Sequence, residues 1–356
     1  MRGRAVGPHP GAWGLPRESL RSIKRTDMKK TLLALAAASV LATAAQAQVH
    51  ISGRLNSAVG KTIGSDDKAV LDIANSLLAF SGLEKLNSQY AALFGFEHRF
   101  FSNDGRDAST GGRTFWNGYS FVGLKHVDYG YLLLGRFYTA AFMAIQDRID
   151  PFRGNTVAAL RGAGLTPFGY YLPQHMALLT ANHPLIKARN AQSIYYSLRS
   201  SAWRGQGFDF KFNIAGTPAG QPDRPWSVGA NYRIGNLFVG IGHEDSWGAN
   251  DELTTIGATY DLGSVTLAAG TSHGKDNANR KYKGYLLGGT WTISSIGSVQ
   301  FGYATSELAG TDLYKKFGVG YRHALSKRVT LYADVAHDSV PTREEMGYDL
   351  GVEYNF

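Results

Sequence analysis

The first chemistry the sequence offers is in its arginines and acids. Arg54, Arg99 and Arg199 each sit opposite an apolar face in an alternating segment, and Arg136 ends another such segment. Asp147, Arg148, Asp150 and Arg153 crowd into one short stretch. Guanidiniums stay charged at any working pH, so opposed to carboxylates they set a field across a gap. The same residues could instead salt-bridge a loop into shape. Catalytic readings are weaker. Gly270-Thr-Ser272-His-Gly274 fits a nucleophile elbow, which needs a strand-to-helix turn, but the polar stretch 275–281 that follows has no helical periodicity. His243-Glu244-Asp245 lies at a strand end and reads as a solvated rim. Histidines occur singly, with no His-Glu-x-x-His, so no metal site is expected. Cysteine is absent, which excludes thiolate sites and a disulfide scaffold. No cofactor is expected.

Those side chains need elements to hold them, and the clearest is the last. From Met346 to Phe356, the residues Met346, Tyr348, Leu350, Val352, Tyr354 and Phe356 alternate with Gly347, Asp349, Gly351, Glu353 and Asn355. Strict period 2 gives one apolar and one polar face. An aromatic-edged apolar face opposite a small or polar one suits a barrel in lipid around a wet interior. Upstream, Phe317, Val319 and Tyr321 alternate with Gly318, Gly320 and Arg322, and Val329, Leu331, Ala333 and Val335 repeat the pattern. At the other end Val49, Ile51, Leu55 and Val59 alternate with His50, Ser52, Arg54 and Asn56.

Between these ends, short turns such as Ile234-Gly-Asn and Asp261-Leu-Gly alternate with longer polar loops at 216–225, 245–252, 274–281 and 338–345. Short connections on one side and long ones on the other are the mark of an outer-membrane barrel. The expected fold is all-β, an antiparallel barrel of sixteen strands, with polar loops also at 61–72 and 103–113. Periodicity stops over 137–188, where Pro151, Gly154, Gly162, Gly164, Pro167, Pro173 and Pro184 break any element. A loop of that length is functional or disordered. Its apolar residues, among them Phe142, Met143, Ile145, Phe152 and Leu160, argue against disorder.

Composition agrees. No run of eighteen apolar residues occurs, so a membrane-spanning helix is not expected, and a mean hydropathy of −0.20 does not count against a barrel. The formal net charge is +9, but residues 1–47 carry +6 of it and the remainder only +3. So balanced a body gives no reason to invoke nucleic acid. Met28-Lys29-Lys30, the Leu/Ala-rich 31–44 and Ala45-Gln46-Ala47 together read as a secretory signal over 28–47 with the mature domain at 48–356. Residues 1–27 are either a long leader or lie upstream of the true start at Met28; the completeness of the signal without them favours the second.

Several stretches resemble the general diffusion porins of Gram-negative outer membranes, of the neisserial and burkholderial type. They are Ser76-Leu-Leu-Ala-Phe-Ser-Gly-Leu-Glu-Lys-Leu86, Tyr119-Ser-Phe-Val-Gly-Leu124, Tyr129-Gly-Tyr-Leu-Leu-Leu-Gly-Arg136 and 314–356. The resemblance spans the mature chain, more weakly between these stretches. It implies a passive channel for ions and small hydrophilic solutes, a homotrimer, and contact with outer-membrane lipid and lipopolysaccharide. It also implies a third loop, here 137–188, folded into the barrel as a constriction. Asp147 and Asp150 would form its acidic side, with Arg148 and Arg153 beside them and Arg54, Arg99, Arg136 and Arg199 on the wall. The bland reading of those wall arginines is that lumen residues simply have to be polar. Leu77 and Tyr195 stand where the family often has arginine, and alternation turns both inward. With Arg148, Arg153, Arg161 and Lys187 against two acids in the loop, the charge leans toward mild anion preference. The alternative is an outer-membrane barrel enzyme of lipase or protease type. It would need a catalytic cluster at the rim or on the outer wall.

Overall fold

The computed structural model describes residues 48–73, 76–107, 115–154, 156–166, 188–198, 207–340 and 344–356. The signal at 28–47, the preceding 1–27 and Arg199 lie outside the described residues. The strands are β1 (Gln48–Lys61), β2 (Ala69–Leu71), β3 (Ser76–Lys85), β4 (Tyr90–Phe100), β5 (Ser120–His126), β6 (Gly130–Tyr138), β7 (Arg189–Leu198), β8 (Gly207–Ala215) and β9 (Trp226–Ile234). Then come β10 (Leu237–Asp245), β11 (Glu252–Asp261), β12 (Val265–Lys275), β13 (Lys281–Thr292), β14 (Gly297–Leu308), β15 (Thr311–Ala324), β16 (Val329–Asp338) and β17 (Met346–Asn355).

All pairings are antiparallel, and β1 closes the ring on β17 from Arg54↔Asn355 to Lys61↔Tyr348. The strand β2 falls inside the stretch expected to be a polar loop at 61–72. Three residues, Ala69-Val-Leu71, are too few for alternation to register. Both β2 and β3 lie along β1, and between the pairs Arg54↔Leu77 and Ala58↔Leu71 three residues of β1 oppose five of the partner. They are therefore one stave with a two-residue bulge, and the barrel has sixteen staves. Asp72 holds the bulge: its carboxylate accepts from the Ser76 backbone N–H at 3.0 Å, the Ser76 hydroxyl at 2.7 Å and the Ser102 N–H at 2.8 Å.

The two faces fall as alternation requires. Leu350 is 59% exposed on the outer wall while its neighbour Asp349, at 2%, points inward. Val49, Ile51, Leu55, Val122, Leu134, Ile241, Leu287 and Phe317 extend the outer apolar band. Connections differ by side, with two exceptions: residues 199–206 join β7 to β8 on the short-turn side, and β14 and β15 are joined on the long-loop side by Ala309-Gly310 alone. Both residues have positive φ (53° and 80°), the geometry of a two-residue hairpin turn.

The principal apolar core lies inside the barrel. After β6 the chain turns inward through a π-helical turn (Phe142–Gln146), and a single helical turn, Arg161–Gly164, follows. Ile145, Ile149, Phe152, Leu160 and Leu165 from this segment bury themselves against wall residues Leu253, Tyr282, Leu286, Leu308 and Leu313. Fully burying such side chains contributes about 1.5–3 kcal/mol each. The outer wall faces lipid, so the inner wall is where they can escape water.

Close seating depends on inward-facing glycines along the path. A side chain at Gly240 would meet Ile145 at 2.9 Å, and one at Gly318 would meet the Ala158 carbonyl at 2.8 Å. At Gly284 a Cβ would overlap the Gly164 carbonyl, a backbone atom that cannot rotate away. Gly284→Val should therefore unseat the turn at 161–166. The expected cost is about 1–3 kcal/mol, read as a lower thermal midpoint of the detergent-solubilised barrel together with altered single-channel conductance. Unchanged values of both would mean that the loop does not rest on this wall.

Candidate functional site

Beside the inward segment a cavity of about 1290 Å³ remains open. Among the described residues eight arginines line it: Arg54, Arg99, Arg148, Arg153, Arg161, Arg189, Arg233 and Arg322. The acids on its lining are Asp147, Asp150 and Glu353.

Of the wall arginines expected from the sequence, Arg54 and Arg99 come together. Leu77 pairs with Arg54 on one side and Arg99 on the other, so all three share the inner face, as alternation predicted for Leu77. Arg99 donates through Nε to Glu97 at 2.7 Å and through Nη2 to the Tyr138 hydroxyl at 3.0 Å. Arg136 is not among the cavity residues. It pairs with Ser120, in step with the outward-facing Leu134, and its Nε donates to the Asn117 carbonyl at 3.1 Å. Tyr195 turns inward but is fully buried, packed with Leu133 and Ala140 and against Phe137. It is covered by the beginning of the inward segment.

The loop group divides by role. Asp150 is 3% exposed, and its two oxygens accept from four backbone N–H groups: Phe152, Gly154, Leu160 and Arg161, all at 3.0–3.1 Å. Its charge is spent on the loop's own amides. Asp147 is half-exposed and ion-paired with Arg161. Arg148 donates to the Met143 carbonyl at 3.4 Å. Arg153 has a positive φ of 55°, at the turn after Asp150. Glu244, a rim residue in the sequence reading, is instead buried and accepts from Gln146 Nε2 at 2.5 Å, tying the π-helical turn to β10. Ser272 is fully buried within β12, with Thr255 Oγ1 2.8 Å away, and has no elbow around it.

Sequence reasoning missed Arg189, Arg233 and Arg322 as cavity residues. Arg322 and Arg233 had a usable signal, since each follows an outward tyrosine, Tyr321 and Tyr232. What no spacing reveals is how they are held. Arg189 lies 4.2 Å from the Tyr138 ring centre and donates to its hydroxyl at 2.6 Å. Arg148 and Arg233 both lie over Phe238, at 5.7 and 5.4 Å. Arg161 lies over Phe142 at 4.9 Å and Arg322 over Tyr332 at 4.9 Å. An aromatic face attracts a guanidinium through its quadrupole and carries no net charge, so it fixes the cation without neutralising it.

Asp150→Ala would leave four enclosed N–H groups without an acceptor, each costing about 1–3 kcal/mol if unmade. That variant should show enlarged, noisy single-channel currents, whereas Asp147→Asn should change ion selectivity with a stable conductance. If Asp150→Ala merely shifted selectivity as Asp147→Asn does, Asp150 would be a lumen charge and not the loop's brace.

The fold has counterparts among known proteins. A family model described as Gram-negative porin matches residues 32–342. No curated protein matched the sequence. Among solved structures, the anion-selective porin from Comamonas acidovorans is 20% identical with a TM-score of 0.67, covering 87% of this chain and 100% of that one. OmpF of Salmonella typhi, in complex with daunomycin, is 16% identical with a TM-score of 0.64, covering 87% and 98%. The trimer form of OmpT from Vibrio cholerae is 12% identical with a TM-score of 0.60, covering 87% and 99%. At such identities the likeness speaks for the fold, while the family match covers most of the sequence. The chain belongs to the Gram-negative porin family, an outer-membrane β-barrel whose wet lumen is a passive diffusion channel and not an enzyme.

Proposed function

We propose that this channel prefers small anions, with the inward segment as its constriction and the arginines of the lining as its selectivity element. The observation that carries the reading is the balance of the cavity wall, eight arginines against three acids. One of those acids, Asp150, is already satisfied by backbone amides. A lining of one sign concentrates counter-ions and excludes co-ions within a Debye length, about 10 Å at 0.1 M salt. The anion selectivity named for the Comamonas protein supports the same sign. Arg54, Arg99, Arg148 and Arg153 act as pore cations in this reading, opposed locally by Asp147. Arg136 stands outside this lining, held on the Asn117 carbonyl.

Reversal potentials in a potassium chloride gradient across planar bilayers test this. Chloride should be favoured over potassium, and the preference should weaken in Arg54→Gln/Arg99→Gln. A clear cation preference would overturn the sign.

The same reading includes export through the signal at 28–47, assembly as a homotrimer, and an outer wall in contact with lipid and lipopolysaccharide. A trimeric relative of the same fold supports the assembly. Native mass measurement in mild detergent should give three copies of a chain whose first residue is Gln48. A monomer would contradict the assembly, and retained residues 28–47 would contradict the cleavage.

A further inference from the structure

Two groups of arginines held over aromatic rings on the cavity wall have a chemistry that charge alone does not use. In the first, the exposed Arg148 of the inward segment and the exposed Arg233 of β9 both lie over the buried Phe238 ring of β10. In the second, Arg189 lies over Tyr138, Tyr138 stacks on Phe142 with centroids 5.0 Å apart and planes 11° from parallel, and Arg161 lies over Phe142. Both groups line the same cavity. A guanidinium has two planar faces. A ring behind it occupies one face, holds the plane in place and leaves the charge intact. Arg148 of the inward segment and Arg233 of the wall therefore meet at one ring, on the lining of one cavity.

We propose that these ring-backed guanidiniums form a subsite for planar aromatic carboxylates, with Phe238, Arg148 and Arg233 at its centre. The excess positive charge of the lining draws in the carboxylate. The guanidiniums, already held over the rings, then select for a flat π face, because part of the side-chain entropy of ordering them is already spent. Chloride and aliphatic carboxylates gain the first effect and not the second. The inference rests on the channel reading and adds a solute class to it.

The test compares potassium benzoate with potassium cyclohexanecarboxylate, which has the same charge and ring size without planarity. Both are added to single channels conducting potassium chloride in planar bilayers, and the concentration giving half-block is measured for each. Benzoate should block at a concentration about threefold lower, the ratio equivalent to one exposed cation–π contact. Arg148→Lys/Arg233→Lys keeps both charges and removes both planes, and should bring the ratio to about one. Phe238→Leu keeps both arginines and removes their backing, and should lower the ratio too. Equal block by the two acids in the unmodified channel overturns the proposal. So does a threefold ratio that survives in both variants. Absence of any potassium chloride conductance would defeat the channel reading itself, and is distinguishable from either result.

Discussion

The structure depends on closure of one hydrogen-bond ladder. In the hydrocarbon layer an unpaired backbone N–H or C=O has no water to turn to, so an open sheet edge cannot persist there. Pairing of β1 with β17 removes both edges at once. Closure also forces parity. Once every stave has neighbours on both sides, each residue faces either lipid or lumen, and a shift of one residue would exchange the two faces. The run from Met346 to Phe356 keeps its apolar residues at every second position, because its pairings with β1 and β16 must both put the same side chains toward lipid.

A barrel of this size would leave a wide water channel if its interior held only side chains. Here the inward segment fills much of one side and leaves the arginine-lined cavity on the other. The packing that seats the segment and the charge that lines the gap are thus separate systems. Apolar contacts and glycines hold the loop against β10–β15. Asp150 accepts from four of the loop's own amides, and Glu244 of β10 ties the loop to the wall through Gln146. Five of the lining arginines rest on aromatic rings, and Arg99, Arg161 and Arg322 are ion-paired with Glu97, Asp147 and Asp334. Burying both members of an ion pair carries a large desolvation cost. A ring beneath a guanidinium avoids that cost while still restricting its motion.

Much of the fold was legible in the sequence because membrane barrels enforce alternation residue by residue. The parity of the final strand, the inward turn of Leu77 and the placement of Arg54 and Arg99 all follow from counting by two. Where counting failed, a local irregularity intervened. Ala69-Val-Leu71 is too short to show a period, and the bulge at Asp72 hides that it continues β3. Between Gly135 and Phe137 the β6–β7 register shifts, which is why the face of Arg136 could not be read from its strand. The site was less legible than the fold. Asp150 looks like any other loop acid until its four amide donors are seen. Arg148 and Phe238 are separated by most of the middle of the chain, so nothing local joins them. The inward glycines of β9–β15 were visible as small residues, but their meaning depends on a loop that lies over them.

The same glycines bear on how far this channel could be remodelled. Under the inward segment part of the lumen wall is apolar: Leu253, Tyr282, Leu286, Ala304 and Leu308 form a trough beside the buried Thr255, Ser272 and Ser306, floored by bare backbone. Removing the segment to obtain a wider bore would flood that trough and set a hydrophobic stripe along an aqueous conduit. Such a stripe favours dewetting, misplaced collapse of a neighbouring loop, or capture of detergent. Enlarging the bore is therefore a redesign of one half of the barrel interior, in which the excised loop must be replaced by polar side chains on the staves that carried it.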